Sequence, residues 1–139
     1  MILLDTNVLS ALMRQKPDVE VIRWLDQQPR TSVWTTAITV FEIRFGLQVM
    51  ASGKRQLSLM KAFEHLLTEL IQQRVAQFDG AAAEKAADLM VARQKNGLSG
   101  DLRDTMIAGI ALATHATLAT RNVRHFEDIS CPVVNPWEP

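Results

Sequence analysis

The chain has 139 residues, with 15 Lys and Arg against 15 Asp and Glu, so its formal net charge is zero. At 47% hydrophobic and 22% charged residues it has a globular composition, and its length predicts one domain over residues 1–139 that can bury a core unaided. The charge balance excludes a basic or acidic nucleic-acid-binding tail, and Cys131, the one cysteine, excludes an internal disulfide and a cysteine-based zinc site.

Ile2, Leu3 and Leu4 form a short apolar run ended by Asp5-Thr6-Asn7, which predicts a buried, parallel strand. Val8 to Met13 reads as helical. A second helix over 18–28 carries Val21, Ile22, Trp24 and Leu25 and stops by Pro29. Thr31 to Thr35 is β-branched and aromatic and predicts a second strand. From Thr36 to Met50 the spacing of Val40, Phe41, Phe45 and Leu47 is helical. Leu57, Met60, Phe63, Leu67 and Leu70 predict a long amphipathic helix over 54–72. Val75 to Phe78 is a third strand candidate, and Ala81 to Asn96 is helical, with Gly97 where a helix C-terminus favours glycine. A helix from near Asp101 toward His115, a strand at Thr117–Thr120, a turn through His125-Phe126 and an edge strand at Pro132–Val134 complete the chain. Strands alternating with helices predict an α/β fold with a mostly parallel central sheet. No run approaches the length of a membrane span, and the apolar run in MILLDTN is too short for a secretion signal. The expected location is the cytoplasm, with no membrane contact.

In an open parallel sheet, ligands bind outside the carboxyl ends of the strands. Asp5 directly follows the first strand, Glu42 lies in the helix after the second, and Asp104 is in the first turn of the helix before the fourth. Arg121-Asn122 follows that fourth strand. Carboxylates gathered on one rim repel one another, and a hard divalent cation such as Mg²⁺ relieves the repulsion through oxygen ligands. Such an ion can bind a phosphate, activate water and stabilise a leaving oxygen, which is the chemistry of phosphodiester hydrolysis. Each residue also has a plainer role. Asp5 and Asp101 suit helix N-caps, Asp104 matches a helix dipole, and Glu42 alone reads as structural. The argument lies in their shared placement.

The segments MILLDTNVLS, TTAITVFEIRFG, DTMIAGIA and TLATRNVRHFE resemble, in order and over the whole chain, the motifs of PIN domains. The closing VVNPW resembles the FitB/VapC subgroup. The resemblance implies a three-layer α/β/α sandwich and an endoribonuclease dependent on Mg²⁺ or Mn²⁺. It implies further that the protein is the toxin of a type II toxin–antitoxin pair, acting on RNA (tRNA being one candidate substrate) and inhibited by a cognate antitoxin. A homodimer is implied as well. Carried over by position, Asp5, Glu42, Asp104 and Asn122 form the catalytic set, with Asp5 and Asp104 as direct metal ligands and Glu42 holding a second metal or positioning water. Thr6 follows the first aspartate and can hydrogen-bond a ligand carboxylate. Many family members place a fourth acid where this chain has Asn122, which weakens the case for a second metal; Glu127 and Asp128 are the candidates to compensate.

With zero net charge, attraction for RNA must be local. Arg103, Arg121 and Arg124 are the candidate phosphate contacts, with Lys95 next, and a shallow salt dependence of RNA binding is expected. Trp24, Phe41, Phe45 and Leu47 either fill the core or line a groove for an antitoxin helix, the core being favoured. Arg44 does not share a face with Glu42 and is a candidate to pair with a carboxylate of the antitoxin or of a second protomer. His65, His115 and His125 lack metal-binding spacing and read as structural or surface residues. Trp137 is expected to pack on the domain. The alternative function is a catalytically inactive PIN-like module binding RNA or a protein partner, with Asn122 as its sign. A phosphatase using Asp5 as nucleophile is disfavoured, because Asn7 stands where a second aspartate is wanted.

Overall fold

The computed structural model describes all 139 residues, Met1–Pro139. Ile2–Leu4 is a strand, β1, at the centre of a five-stranded sheet. Val33–Thr36 (β2) and Thr117–Ala119 (β4) pair with its two edges. Val75–Ala76 (β3) lies outside β2, and Val133–Val134 (β5) outside β4. The order is β3-β2-β1-β4-β5 and every pairing is parallel. In register, Leu4 stands between Thr35 and Ala119.

Leu3 and Leu4 explain why the run is apolar rather than alternating. Successive side chains leave a strand on opposite faces, and both leucines are fully buried. Leu4 joins a cluster with Val8, Leu9, Val21, Trp24, Phe63 and Ile71, while Leu3 joins one with Ile107, Ile110, Leu118 and Phe126. Both faces are therefore covered, which gives three layers. Helices Thr6–Leu12 (α1), Val19–Asp26 (α2), Ala37–Gln48 (α3) and Lys54–His65 (α4) contribute most of the first cluster. Helices Gly80–Lys95 (α5) and Leu102–Thr114 (α6) cover the opposite face. Each fully buried Leu, Ile or Phe contributes about 1.5–3 kcal/mol of transfer free energy.

The helix ends follow local chemistry. Asp5, Thr36, Asp79 and Asp101 cap α1, α3, α5 and α6 by accepting from backbone N–H groups of the first turn. Helix α5 ends in a Schellman turn. Gly97 takes φ +69°, its N–H donates to Gln94 O at 3.1 Å, and the Leu98 N–H donates to Arg93 O at 2.8 Å. Helices α5 and α6 approach through small residues. A Cβ on Gly109 would lie 2.5 Å from Ala82 O and 2.8 Å from Ala86 Cβ, so this contact admits no side chain at 109.

Three expectations change. The helix expected over 54–72 ends at His65, and Leu66–Ile71 continues as a wider π-helical turn closed by Gln72 and Gln73 at positive φ. Arg74 binds that turn to the sheet, donating to Leu70 O at 2.9 Å and to Val33 O at 2.8 Å. On α3 the buried stripe is Thr39, Ile43 and Leu47, spaced by four. Phe41 and Phe45 consequently lie on the outer face, exposed and stacked on each other with centroids 6.5 Å apart, whereas Trp24 and Leu47 are in the core. Arg44 finds its carboxylate within the chain, 2.8 Å from Glu64, and its guanidinium lies over the Phe63 ring.

Candidate active site

The sheet order reverses at β1. From there the chain builds β2 and β3 on one side and β4 and β5 on the other, which makes the carboxyl ends of β1 and β4 the switch point where open α/β sheets bind ligands. Asp5 leaves β1 there, and Arg121 and Asn122 follow β4. The Asp5 N–H donates to Ala119 O at 2.9 Å, locking the two strand ends together. A pocket of about 400 Å³ opens at this point, lined by Asp5, Thr6, Asn7, Glu42, Asp104, Arg121, Asn122 and Trp137 among others. Residues separated by about a hundred positions thus share one rim because parallel connections return each strand in the same direction.

Asp5 is almost wholly buried, and its carboxylate is fully engaged. Oδ1 accepts from the Thr6 N–H at 2.8 Å. Oδ2 accepts from the Thr120 hydroxyl at 2.6 Å and from the Asn7 amide at 3.4 Å. Burial pushes the Asp5 pKa above the usual carboxylate value, and the Asp104 charge adds to the rise, against the hydrogen bonds from Thr120, Thr6 and Asn7. Glu42 sits on α3 with its side chain 20% exposed. Its Oε1 accepts from the Thr6 hydroxyl at 3.0 Å, and its Oε2 is 3.8 Å from Arg103. Burial raises its pKa too. The Thr6 bond and Arg103 oppose that rise, while Asp5 and Asp104 reinforce it. Asp104 is in the first turn of α6, its backbone N–H held by Asp101 Oδ1 at 3.2 Å and its Oδ2 2.9 Å from His125 Nδ1.

The remaining expected residues divide. Thr6 bridges to Glu42, and Arg103 lies beside the same carboxylate. Arg121 is exposed on the pocket, its N–H donating to Asn7 Oδ1 at 3.0 Å. Asn122 is on the pocket, with its N–H on the Thr120 hydroxyl at 3.1 Å. Arg124 faces a neighbouring pocket of about 480 Å³ that shares Asp104 and contains His125, Ser99 and Gly100. Lys95 lines neither pocket. Asp128 does not stand in for the acid missing at 122, because it is bonded to Arg93 at 2.7 and 2.9 Å.

Four residues with no sequence signal of their own shape this rim. Thr120 joins Asp5, Asn7 and Asn122 through one hydroxyl. Asn7, which the sequence showed only as part of Asp-Thr-Asn, ties Asp5 to Arg121. Buried Arg93 donates to Thr105 and to the His125 carbonyl, fixing both neighbours of Asp104. His125, expected to be a structural or surface residue, is exposed and contacts Asp104 directly.

The donors on this rim are oxygens, as a hard divalent cation requires. No three His, Cys, Asp or Glu groups are close enough to form a complete protein cage.

The chain aligns over 138 residues, 99% of its length and 99% of the relative, with plasmid stability protein StbB of Pseudomonas syringae pv. tomato at 41% identity. It aligns with VapC ribonuclease Y4jK of Sinorhizobium fredii at 39% identity over 100% of the chain and 99% of the relative. Toxin FitB of Neisseria gonorrhoeae is 34% identical over 99% of both chains. The crystal structure of FitAcB from that organism superposes with a TM-score of 0.88, covering 99% of each chain at 34% identity. Residues 2–130 match the model of the PIN domain. With its parallel sheet, its acidic rim at the switch point and these relatives, the chain belongs to the PIN-domain family.

Proposed function

We propose that this PIN-domain protein is the toxin of a type II toxin–antitoxin pair: a metal-dependent endoribonuclease that hydrolyses RNA phosphodiester bonds and is inhibited by a cognate antitoxin. Its likeness to a VapC ribonuclease and to Toxin FitB supports the activity and the toxin role. The observation that carries the chemistry is the sharing of one polar pocket by Asp5, Glu42 and Asp104, the first two with pKa values raised by burial and by the Asp104 charge. Carboxylates held in that condition gain from a cation.

Asp5 and Asp104 are the residues that would hold Mg²⁺ or Mn²⁺, and the ion supplies charge for the scissile phosphate and lowers the pKa of water. Thr120, Thr6 and Asn7 hold the Asp5 carboxylate in place, and Thr6 also orients Glu42. Glu42 positions the attacking water. Asn122 orients water or substrate through its amide without adding charge. Arg121 and Arg124 contact flanking phosphates from the two pockets, with Arg103 beside Glu42 as a third cation. No helix is long and apolar enough to cross a membrane, and a cytoplasmic homodimer is the form proposed to meet the RNA and the antitoxin.

The test is cleavage of an RNA panel that includes tRNA, using protein freed of antitoxin and supplied with Mg²⁺ or Mn²⁺. Wild type is expected to cut at least one RNA. Asp5→Asn and Asp104→Asn are expected to lose about a hundredfold or more in rate. A wild type that stays inert with both metals, or an Asp5→Asn variant as active as wild type, overturns the reading.

A further inference from the structure

The pocket that contains Asp5, Glu42 and Asp104 has one aromatic wall, Trp137. This residue belongs to the segment after β5, and two of its hydrogen bonds hold it in place. Its indole Nε1 donates to Asp18 Oδ2 at 2.8 Å, and its backbone N–H donates to Asn135 Oδ1 at 3.0 Å. Asp18 is the residue preceding α2, so the indole is fixed against the body of the fold rather than hanging from the tail. The Arg121 guanidinium lies over this ring, its Cζ 4.7 Å from the centroid, and the Arg121 backbone is pinned by Asn7.

Arg103 is 3.8 Å from Glu42 and Arg93 is bonded to Asp128, whereas Arg121 and Arg124 pair with no carboxylate, and of these two only Arg121 lies over an aromatic ring. Stacking on a ring face orients a guanidinium while leaving its N–H fork directed outward and unpaired, which is the state in which it can bind a phosphate by two hydrogen bonds. An exposed arginine without such a platform must lose side-chain rotamer freedom when it binds.

We infer that Trp137 is a positioning residue that holds the Arg121 guanidinium at the pocket for a phosphate of the bound RNA strand. The inference rests on the ribonuclease reading and adds to it a residue that acts through another. Trp137 itself touches no reacting atom.

The experiment is a double-mutant cycle on the full-length protein, freed of antitoxin, with the RNA that wild type cleaves. Trp137→Ala raises KM about fivefold, the scale of an exposed cation–π contact together with the lost preorganisation, and leaves kcat within about twofold. Arg121→Gln raises KM by at least as much. On the Arg121→Gln background Trp137→Ala adds nothing, because the group it positions is gone. Trp137→Phe, which keeps a ring face, recovers most of the loss. Trp137→Leu keeps apolar bulk without a ring and behaves as Trp137→Ala, which keeps the test open if the alanine variant unfolds. The slope of log KM against log salt falls by about one for Arg121→Gln. Additive effects in the cycle, an unchanged KM in Trp137→Leu, or a Trp137→Phe variant as impaired as Trp137→Leu overturns the inference. If wild type cleaves no RNA, it is the ribonuclease reading that fails. If wild type cleaves and the cycle is additive, only the role of Trp137 fails.

Discussion

Two groups of charge flank the first turn of α6, and they are built on opposite terms. On one side Asp128 receives two hydrogen bonds from Arg93, which also donates to Thr105 and to the His125 carbonyl. The Arg93 bonds and charge hold the Asp128 pKa below the usual value. On the other side Asp5, Glu42 and Asp104 share a pocket with Arg103 no nearer than 3.8 Å to Glu42, and burial drives the Asp5 and Glu42 pKa values upward. The first group is complete within the chain. The second is held more loosely, with Arg103 at 3.8 Å from Glu42 and the exposed His125 ring at 2.9 Å from Asp104. Identical residue types therefore separate into a tightly bonded pair and a loosely partnered rim according to how closely a cation is folded against them, and sequence spacing does not record that difference.

The largest expected effect lies on the completed side. Arg93→Ala removes the partner of the exposed Asp128 and the buried donor to Thr105 and the His125 carbonyl, and it should lower unfolding free energy by about 3 kcal/mol in denaturant titration. A loss below about 1 kcal/mol would place Arg93 with ordinary surface arginines and dissolve the contrast. Next comes the loosely partnered side. Mg²⁺ at a hundredfold excess over its dissociation constant should stabilise wild type by about 2.7 kcal/mol in thermal unfolding and Asp5→Asn by much less. Equal stabilisation of both would put the ion elsewhere. Thr120→Val removes the hydroxyl shared by Asp5, Asn7 and Asn122, and should cost about 1–2 kcal/mol in stability. Because that hydroxyl lowers the Asp5 pKa, the variant should also need a higher pH for the ion to bind.

The smallest effect is the pH dependence of the metal-free protein. Asp5 and Glu42 hold their protons more tightly when folded than when unfolded, so their contribution to stability is complete below the ordinary values of about 3.8 and 4.5 and is lost as pH rises through the elevated ones. Asp128 has the opposite sign and loses its contribution as pH falls. Asp5→Asn should therefore flatten the decline in stability above pH 4, read from metal-free unfolding curves at a series of pH values. An unchanged slope would mean that Asp5 ionises without cost.

Much of this architecture is legible in local pattern. The run Ile2–Leu4 is apolar at every position because both sheet faces are covered, and the turn Asn96-Gly97 ends α5 because glycine alone accepts the left-handed conformation cheaply. Asp5 and Asp104 stand out because each lies at an element boundary that a parallel sheet brings to the same end, and Glu42 because it lies in the helix that follows the second strand. Other features are set by long-range contacts. Nothing in TLATRN marks the Thr120 hydroxyl as the hub of the rim, since its partner Asp5 is 115 residues away. Arg93 lies within an amphipathic pattern that gives no reason to bury a charge until Asp128 is folded against it. The apolar spacing of Phe41 and Phe45 on α3 fits two faces, and only the packing of Ile43 and Leu47 chooses between them.

The bare backbone of Gly109 has a consequence beyond packing density. It lies five positions along α6 from Asp104, so the depth to which α6 nests against Ala82 and Ala86 sets where that aspartate is aimed. A single methyl introduced there would act as a wedge near a pivot, displacing the far end of a stiff rod. The aim of one rim side chain is thus governed from the neighbouring helix of its own layer, by the lack of an atom.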